Sequence, residues 1–259
     1  MSQLWEKLLF ITGGHLELTK CFWVPIVWRW NGGKPSMRQK YPRGKELYLR
    51  DSESHMECLI PKITIRAVEK RLGVSSSCDG RWNTEFRQWM DFSTSFSRKL
   101  KHARLGRRIG WLAYHSLWIT KFRYSAPVVG FSKHHLTKIQ QRIIGTCLSV
   151  AGYCCKIPRA VVYGPLSLGG MSWINIEVLF IFEKLKFLIG SIRLQDKVGK
   201  MLELQLSWIQ IFGGLSTPIL ELDRYLPYLP TGWIQNVHHH LVDHGIKVEI
   251  HNLWTPRIQ

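Results

Sequence analysis

A run of positive charge without any carboxylate dominates the middle of this sequence. Between Asp91 and Glu177 there is no Asp or Glu, and the formal charge of the whole chain is +18. Because each neutralised phosphate releases condensed counterions, a basic surface attracts polyanions, and nucleic acid is the first candidate partner. A basic surface that serves solubility alone is the alternative. The stretch contains thirteen basic residues: Arg98, Lys99, Lys101, Arg104, Arg107, Arg108, Lys121, Arg123, Lys133, Lys138, Arg142, Lys156 and Arg159.

Patterns that indicate catalysis or metal binding are less clear in the sequence than the excess of positive charge. The acid-free stretch has no carboxylate for general acid–base chemistry, and no G-x-S-x-G element occurs. His240 and His244 are four residues apart on a predicted helix and could bind a transition metal, but Leu241 stands where a zinc-protease motif has Glu. We therefore interpret the histidines around His240 as an exposed helix face and predict no metal ligands.

The first third of the chain has the patterns of short strands. Residues 16–30 are strand-compatible, and Asn31-Gly32 signals a turn. Residues 47–50 and 56–60 flank a polar turn and predict a hairpin. Residues 71–74 predict one more short strand.

Three consecutive helices are predicted over the basic stretch. The first begins near Thr84, the second ends before Pro127, and Ser132 caps the third. Lys138 and Arg142 are four residues apart and so project from the same side of the third helix. Such a bundle buries its apolar side and offers the basic side to a phosphate backbone. The apolar stripe of the third helix is Leu136, Ile139, Ile143, Ile144, Cys147 and Leu148.

We therefore predict an α+β, mostly helical fold, with a small antiparallel sheet followed by a three-helix bundle and further helices. The predicted domains are residues 1–80, 81–160 and 161–259. Later helices are predicted at 175–191, 196–212 and 233–244, with a short strand at 248–250. Six Cys occur without a C-x-x-C pair, and neither a signal peptide nor a membrane span is visible. An intracellular protein, cytoplasmic or nuclear and without a membrane partner, is the expectation.

Residues 5–23 form a pattern of helix, Gly-Gly and an apolar strand containing Lys20. This segment resembles the palm helix and motif D of retrotransposon reverse transcriptases. Arg71-Leu72-Gly73-Val74 is similar to the primer-grip element of the same family. Further on, Phe131-Ser132, Pro158-Arg159 and Leu168-Gly169-Gly170 resemble the region after the polymerase core in non-LTR elements. The resemblance rests on the order and spacing of these motifs.

The resemblance implies the end of the palm and the helical thumb of an RNA-directed DNA polymerase, which is a nucleotidyltransferase. Lys20 would lie near the incoming triphosphate as an auxiliary catalytic residue, and Leu72 and Gly73 would hold the primer end. The intact polymerase would use Mg²⁺. The partner would be RNA, DNA or an RNA–DNA hybrid, bound by Arg98, Lys101, Arg104, Arg107, Arg108, Lys138 and Arg142.

The sequence departs from the family pattern at two points. No Asp-Asp dipeptide occurs, and Arg71 stands where the primer grip usually has an aromatic residue. We therefore expect a fragment whose metal-binding aspartates belong to a missing upstream segment and which does not polymerise alone. Two alternatives stay open. One is a stand-alone basic RNA- or DNA-binding module, and the other is a non-functional retroelement remnant or a structural interaction protein.

Overall fold

The predicted α+β, mostly helical fold is confirmed in a computed structural model of the chain. The chain divides into two units: a strand-rich unit of Met1–Arg71 with Ser75–Arg81, and a helical unit of Leu72–Val74 with Trp82–Gln259. The predicted boundary between residues 160 and 161 stays a prediction. The structure describes residues 18–31, 34–37, 46–50, 56–71, 73–103 and 105–249.

Short antiparallel hairpins account for the described strands. In the first, β1 (Trp28–Asn31) pairs with β2 (Lys34–Met37) and Asn31 lies opposite Lys34, as the predicted turn requires. In the second, β3 (Leu47–Arg50) pairs with β4 (Glu57–Ile60), which confirms the predicted hairpin. A third pair consists of β5 (Val68–Arg71) and β6 (Val74–Ser77). Within the described residues, the strands form these two-stranded sheets and not one larger sheet.

The predicted strand over residues 16–30 is largely wrong. Leu18–Lys20 form a turn of 3-10 helix, and strand pairing along this segment begins at Trp28 apart from one isolated bridge between Trp23 and Lys62. Pro25 gives the physical reason, because proline has no N–H to donate to a neighbouring strand. Residues 16 and 17 lie outside the described residues.

Arg71 and Val74 belong to two different strands and not to the one short strand predicted over residues 71–74. Strand β5 ends at Arg71 and β6 begins at Val74. Between them, Gly73 has φ of +86°, which is the left-handed region that favours glycine. Leu72 lies outside the described residues.

The strand predicted over residues 248–250 is not found in the described part, which reaches residue 249. The backbone N–H of Val248 donates one hydrogen bond of 3.0 Å to the Leu220 carbonyl. A strand needs a ladder of such bonds to a partner strand. Residues 248 and 249 are therefore irregular chain within the helical unit.

The helices predicted in the helical unit are present, with shifted ends. The second predicted helix is one continuous run whose middle, Tyr114–Ile119, is π-helical. The α-helices are α1 (Asn83–His102), α2 (Arg107–Ala113), α3 (Thr120–Ser125), α4 (Lys133–Val150), α5 (Arg159–Tyr163), α6 (Ile176–Leu194), α7 (Lys197–Gly213) and α8 (Trp233–Asp243).

An aromatic cluster holds α1, α4 and the run from α2 to α3 together. Trp118 is fully buried and stacks between Tyr114 and Phe122, with ring centroids 5.7 and 5.6 Å apart. Trp89 of α1 meets Trp118 edge-on at 5.7 Å. A second cluster joins α6, α7 and α8 through residues such as Leu188, Leu206, Ile234 and Leu241. Burial of these large side chains fixes which helix faces remain for solvent.

Candidate nucleic-acid interface

Helix α4 has the two-sided character that its sequence predicts. Ser132 caps it, because its hydroxyl accepts from the His135 N–H while the His135 ring accepts from the Ser132 N–H. Lys138 and Arg142 are exposed on the side opposite the core. The predicted stripe is buried throughout: Leu136, Ile139, Ile143, Ile144, Cys147 and Leu148.

Helix α1 lies directly beside α4 and adds two more cations. The Phe86 ring lies on the His135 ring with centroids 4.4 Å apart, and the Ser97 hydroxyl donates to the Arg142 carbonyl at 3.3 Å. These two contacts advance along both helices in the same direction, so α1 and α4 run side by side in parallel. Arg98 and Lys101 are exposed next to Ser97. We call Arg98, Lys101, Lys138 and Arg142 the α1–α4 basic face.

The cations of this face form no ion pair within the described residues. Two other electrostatic effects act on these cations. Lys101 lies in the last turn of α1, where positive charge is favoured by the helix dipole. Asp91 is the acidic residue on the outer side of α1, about two turns before Arg98. The face as a whole keeps a surplus of positive charge.

Arg107 is exposed but has a structural role that its sequence position did not reveal. Its Nε donates to the Ala151 carbonyl at 2.9 Å, and its guanidinium lies 4.7 Å from the centre of the Tyr153 ring. It therefore joins the start of α2 to the end of α4, where a cation also complements the helix dipole. Its neighbour Arg108 is exposed at the start of α2. Arg104 lies outside the described residues.

Carboxylates from beyond the acid-free stretch neutralise part of it. Glu183 pairs with Arg123 at 2.7 Å, and Glu177 lies 3.6 Å from Lys133. Local spacing could not indicate these pairs, because they join residues of different helices that are far apart in the chain. Lys121 Nζ lies 3.5 Å from the centre of the Phe92 ring, so its charge also takes part in a cation–π interaction within the protein.

The residues assigned by the polymerase resemblance are separated between the two units. Lys20 is exposed at the end of the 3-10 turn in the strand-rich unit, and Gly73 belongs to the helical unit. The backbone conformation alone accounts for a glycine at position 73. Leu72 lies outside the described residues. The predicted roles of Lys20, Leu72 and Gly73 stay predictions.

The interpretation of the histidines as an exposed helix face is wrong. His238 and His240 on α8 are buried, with 0% and 2% of their surface exposed. Ile234, Val237 and Leu241 show the reason, because these apolar residues are spaced so that His238 shares their face of the helix. Burial lowers the pKa of His238 and of His240.

Lys184 is another buried polar residue that the sequence did not indicate. Only 1% of its surface is exposed, and its Nζ has no hydrogen-bond partner. The amine lies 4.9 Å from the Phe180 ring centre and 4.7 Å from the Trp233 ring centre. Burial lowers its pKa to about 7.

Searches of protein-family models, curated proteins and solved structures found no match to this chain. The resemblance to reverse transcriptases therefore rests on the motifs quoted above. Among the described residues, no helix combines the length and apolar character needed to cross a membrane.

Proposed function

We propose that the helical unit binds the phosphate backbone of nucleic acid through the α1–α4 basic face. The observation that carries this proposal is the position of four exposed cations on two neighbouring helices, without an ion pair among the described residues. The pairs Arg98/Lys101 and Lys138/Arg142 each follow helical spacing, so each projects from one side of its helix. Contacts of this kind set affinity and orientation but do not read bases.

The finer proposal is that this unit is the thumb of a reverse transcriptase and holds an RNA–DNA hybrid. The resemblance of residues 5–23 and 71–74 supports it, together with the position of a basic helical unit after them. The residues of this chain do not fit the Mg²⁺ pair of such a polymerase, because no Asp-Asp dipeptide occurs. The chain would then contribute primer–template binding, and an upstream segment would supply the metal ligands.

A stand-alone nucleic-acid-binding module is the second candidate. It is favoured by the helical unit itself, which has its own aromatic core around Trp118 and does not need a palm to bury it. The six cysteines form no C-x-x-C pair in the sequence, which supports an intracellular setting for either candidate.

Charge reversal on α4 tests the proposal. The double substitution Lys138→Glu and Arg142→Glu is expected to weaken binding to duplex at least about tenfold at moderate salt. It should also reduce the slope of log Kobs against log salt by about 2, because two phosphates are no longer neutralised by the protein. Fluorescence anisotropy with labelled RNA–DNA hybrid and labelled DNA duplex, repeated over a salt series, measures both quantities.

A matched control is the double substitution Lys197→Glu and Lys200→Glu in the first turn of α7. It makes the same change of net charge on exposed residues, and acidic side chains suit a helix N-terminus. It is expected to lower the affinity much less. Equal losses of affinity in the two double variants would contradict binding at the α1–α4 basic face. They would indicate a general effect of net charge instead.

A further inference from the structure

Three potential metal ligands meet where the end of α8 approaches the start of α6. His240 and Asp243 are three residues apart in the last turn of α8, and Glu177 lies in the first turn of α6. One ligand atom from each residue lies within 4.8 Å of the others. The three residues come from two helices about 60 residues apart in the chain, so no local sequence motif predicts the cluster.

The hydrogen bonds of His240 leave one ring nitrogen available. Its Nε2 is 2.9 Å from the backbone carbonyl oxygen of Phe131, and a carbonyl can only accept, so Nε2 carries the hydrogen. Nδ1 then has a free lone pair, and it is buried without a hydrogen-bond partner. An imidazole held in one tautomer by a carbonyl at its other nitrogen is the usual arrangement of a metal-binding histidine.

The Glu177 carboxylate is also incompletely satisfied. Its Oε1 is buried without a hydrogen bond, with Lys133 Nζ at 3.6 Å and His244 Nε2 at 3.3 Å. Asp243 Oδ1 accepts a hydrogen bond from the Tyr225 hydroxyl. Two carboxylates therefore lie beside the imidazole, and the nearby basic groups are Lys133, next to Glu177, and Lys184, which acts on His240.

We propose that Glu177, His240 Nδ1 and Asp243 bind one divalent first-row transition-metal ion. One imidazole with two carboxylates suits Zn²⁺ and its neighbours, whereas Mg²⁺ and Ca²⁺ prefer oxygen ligands alone. The ligand atoms of a tetrahedral zinc site are about 3.3 Å apart, so side chains whose ligand atoms are up to 4.8 Å apart have to close by up to about 1.5 Å. Rotation of the Glu177 and Asp243 side chains can supply this movement.

The tautomer of His240 supports such a site, because Nδ1 carries no proton that the metal would have to displace. The competing arrangement is the ion-pair group that Glu177 makes with Lys133 and His244. Metal binding would replace those weak pairs and join α8 to α6. The expected role is structural, since it ties together two elements of the second hydrophobic cluster.

Titration of the chelator-treated full chain with ZnCl₂ in a calorimeter tests the proposal. The expected result is one equivalent of Zn²⁺ bound with micromolar or tighter affinity, a higher melting temperature with Zn²⁺ present, and no such effect of Mg²⁺. Asp243→Asn and Glu177→Gln should each weaken binding about tenfold or more. Substitution by Co²⁺ should give visible absorption in the wild type that both variants lack.

His239→Gln is the matched control, because His239 is on the same helix but outside the cluster, against the Tyr225 ring. It should bind Zn²⁺ as the wild type does. Circular dichroism without metal checks that each variant is folded, and having two acidic variants means that the failure of one to fold does not remove the test. The proposal is overturned if the wild type binds no Zn²⁺, or if folded Asp243→Asn or Glu177→Gln binds it as tightly as the wild type.

Discussion

The substitution Lys184→Met is expected to raise the free energy of unfolding by a few kcal/mol at pH 7. The Lys184 amine is buried without a hydrogen-bond partner, and the Phe180 and Trp233 rings beside it offset only part of its lost hydration. Methionine fills a similar volume without a charge. The upper limit is about 5 kcal/mol, from a pKa that falls from 10.5 to about 7 at about 1.4 kcal/mol per pKa unit.

The gain from Lys184→Met should depend on pH with a definite sign. Between pH 7 and 10.5 the unfolded chain keeps the Lys184 proton while the folded chain has lost it, so stability rises with pH in this window. Below pH 7 both states are charged and the full penalty of burial remains. The advantage of the variant should therefore be largest at pH 7 and below, and should shrink towards pH 10.

Urea unfolding of both proteins at a series of pH values measures this difference. Lys186→Met is the matched control, since Lys186 is exposed on the same helix. It should change the stability by only a few tenths of a kcal/mol. A Lys184→Met variant that is less stable than the wild type below pH 7 would show that the amine makes a favourable interaction.

Trp118→Ala is expected to lower the free energy of unfolding by about 4 kcal/mol, which is a large part of the total stability of an ordinary domain. The side chain is fully buried, and its removal opens a cavity between Tyr114 and Phe122. It also removes the indole N–H that donates to the buried Ser93 hydroxyl at 3.2 Å. Urea unfolding followed by circular dichroism measures the loss.

Trp208→Ala is the control for the Trp118 experiment. Trp208 has 53% of its surface exposed and contacts Phe212 on the same helix. The same truncation there should cost at most about 1 kcal/mol. Similar losses at the two positions would contradict the assignment of Trp118 to the centre of the core.

The sequence was most informative where the spacing of residues along a single helix determines which side chains are buried and which are exposed. The stripe of α4, from Leu136 to Leu148, has a 3.6-residue period, and this period alone predicts its buried face and the exposed positions of Lys138 and Arg142. The Ser132 cap was visible for the same reason, because capping depends on residues within one turn. Local spacing therefore predicted half of the basic face.

Properties that depend on distant partners were not predictable from spacing. Arg123 and Lys133 belong to a stretch without carboxylates, and only the fold brings Glu183 and Glu177 to them from another helix. The structural role of Arg107 depends in the same way on its contacts with Tyr153 and with the end of α4, which only the fold brings together. The strand expected over residues 16–30 failed because a strand exists only where a neighbour pairs with it.

The proposed function depends most on the binding of phosphates to the α1–α4 basic face. Acetylation of lysines in the full chain, read by mass spectrometry with and without RNA–DNA hybrid, tests this claim directly. Lys101 and Lys138 should become several-fold less reactive when the hybrid is bound, while the exposed Lys197 and Lys200 of α7 should keep their reactivity. Unchanged reactivity of Lys101 and Lys138 in the bound state, or equal protection of all four lysines, would contradict it.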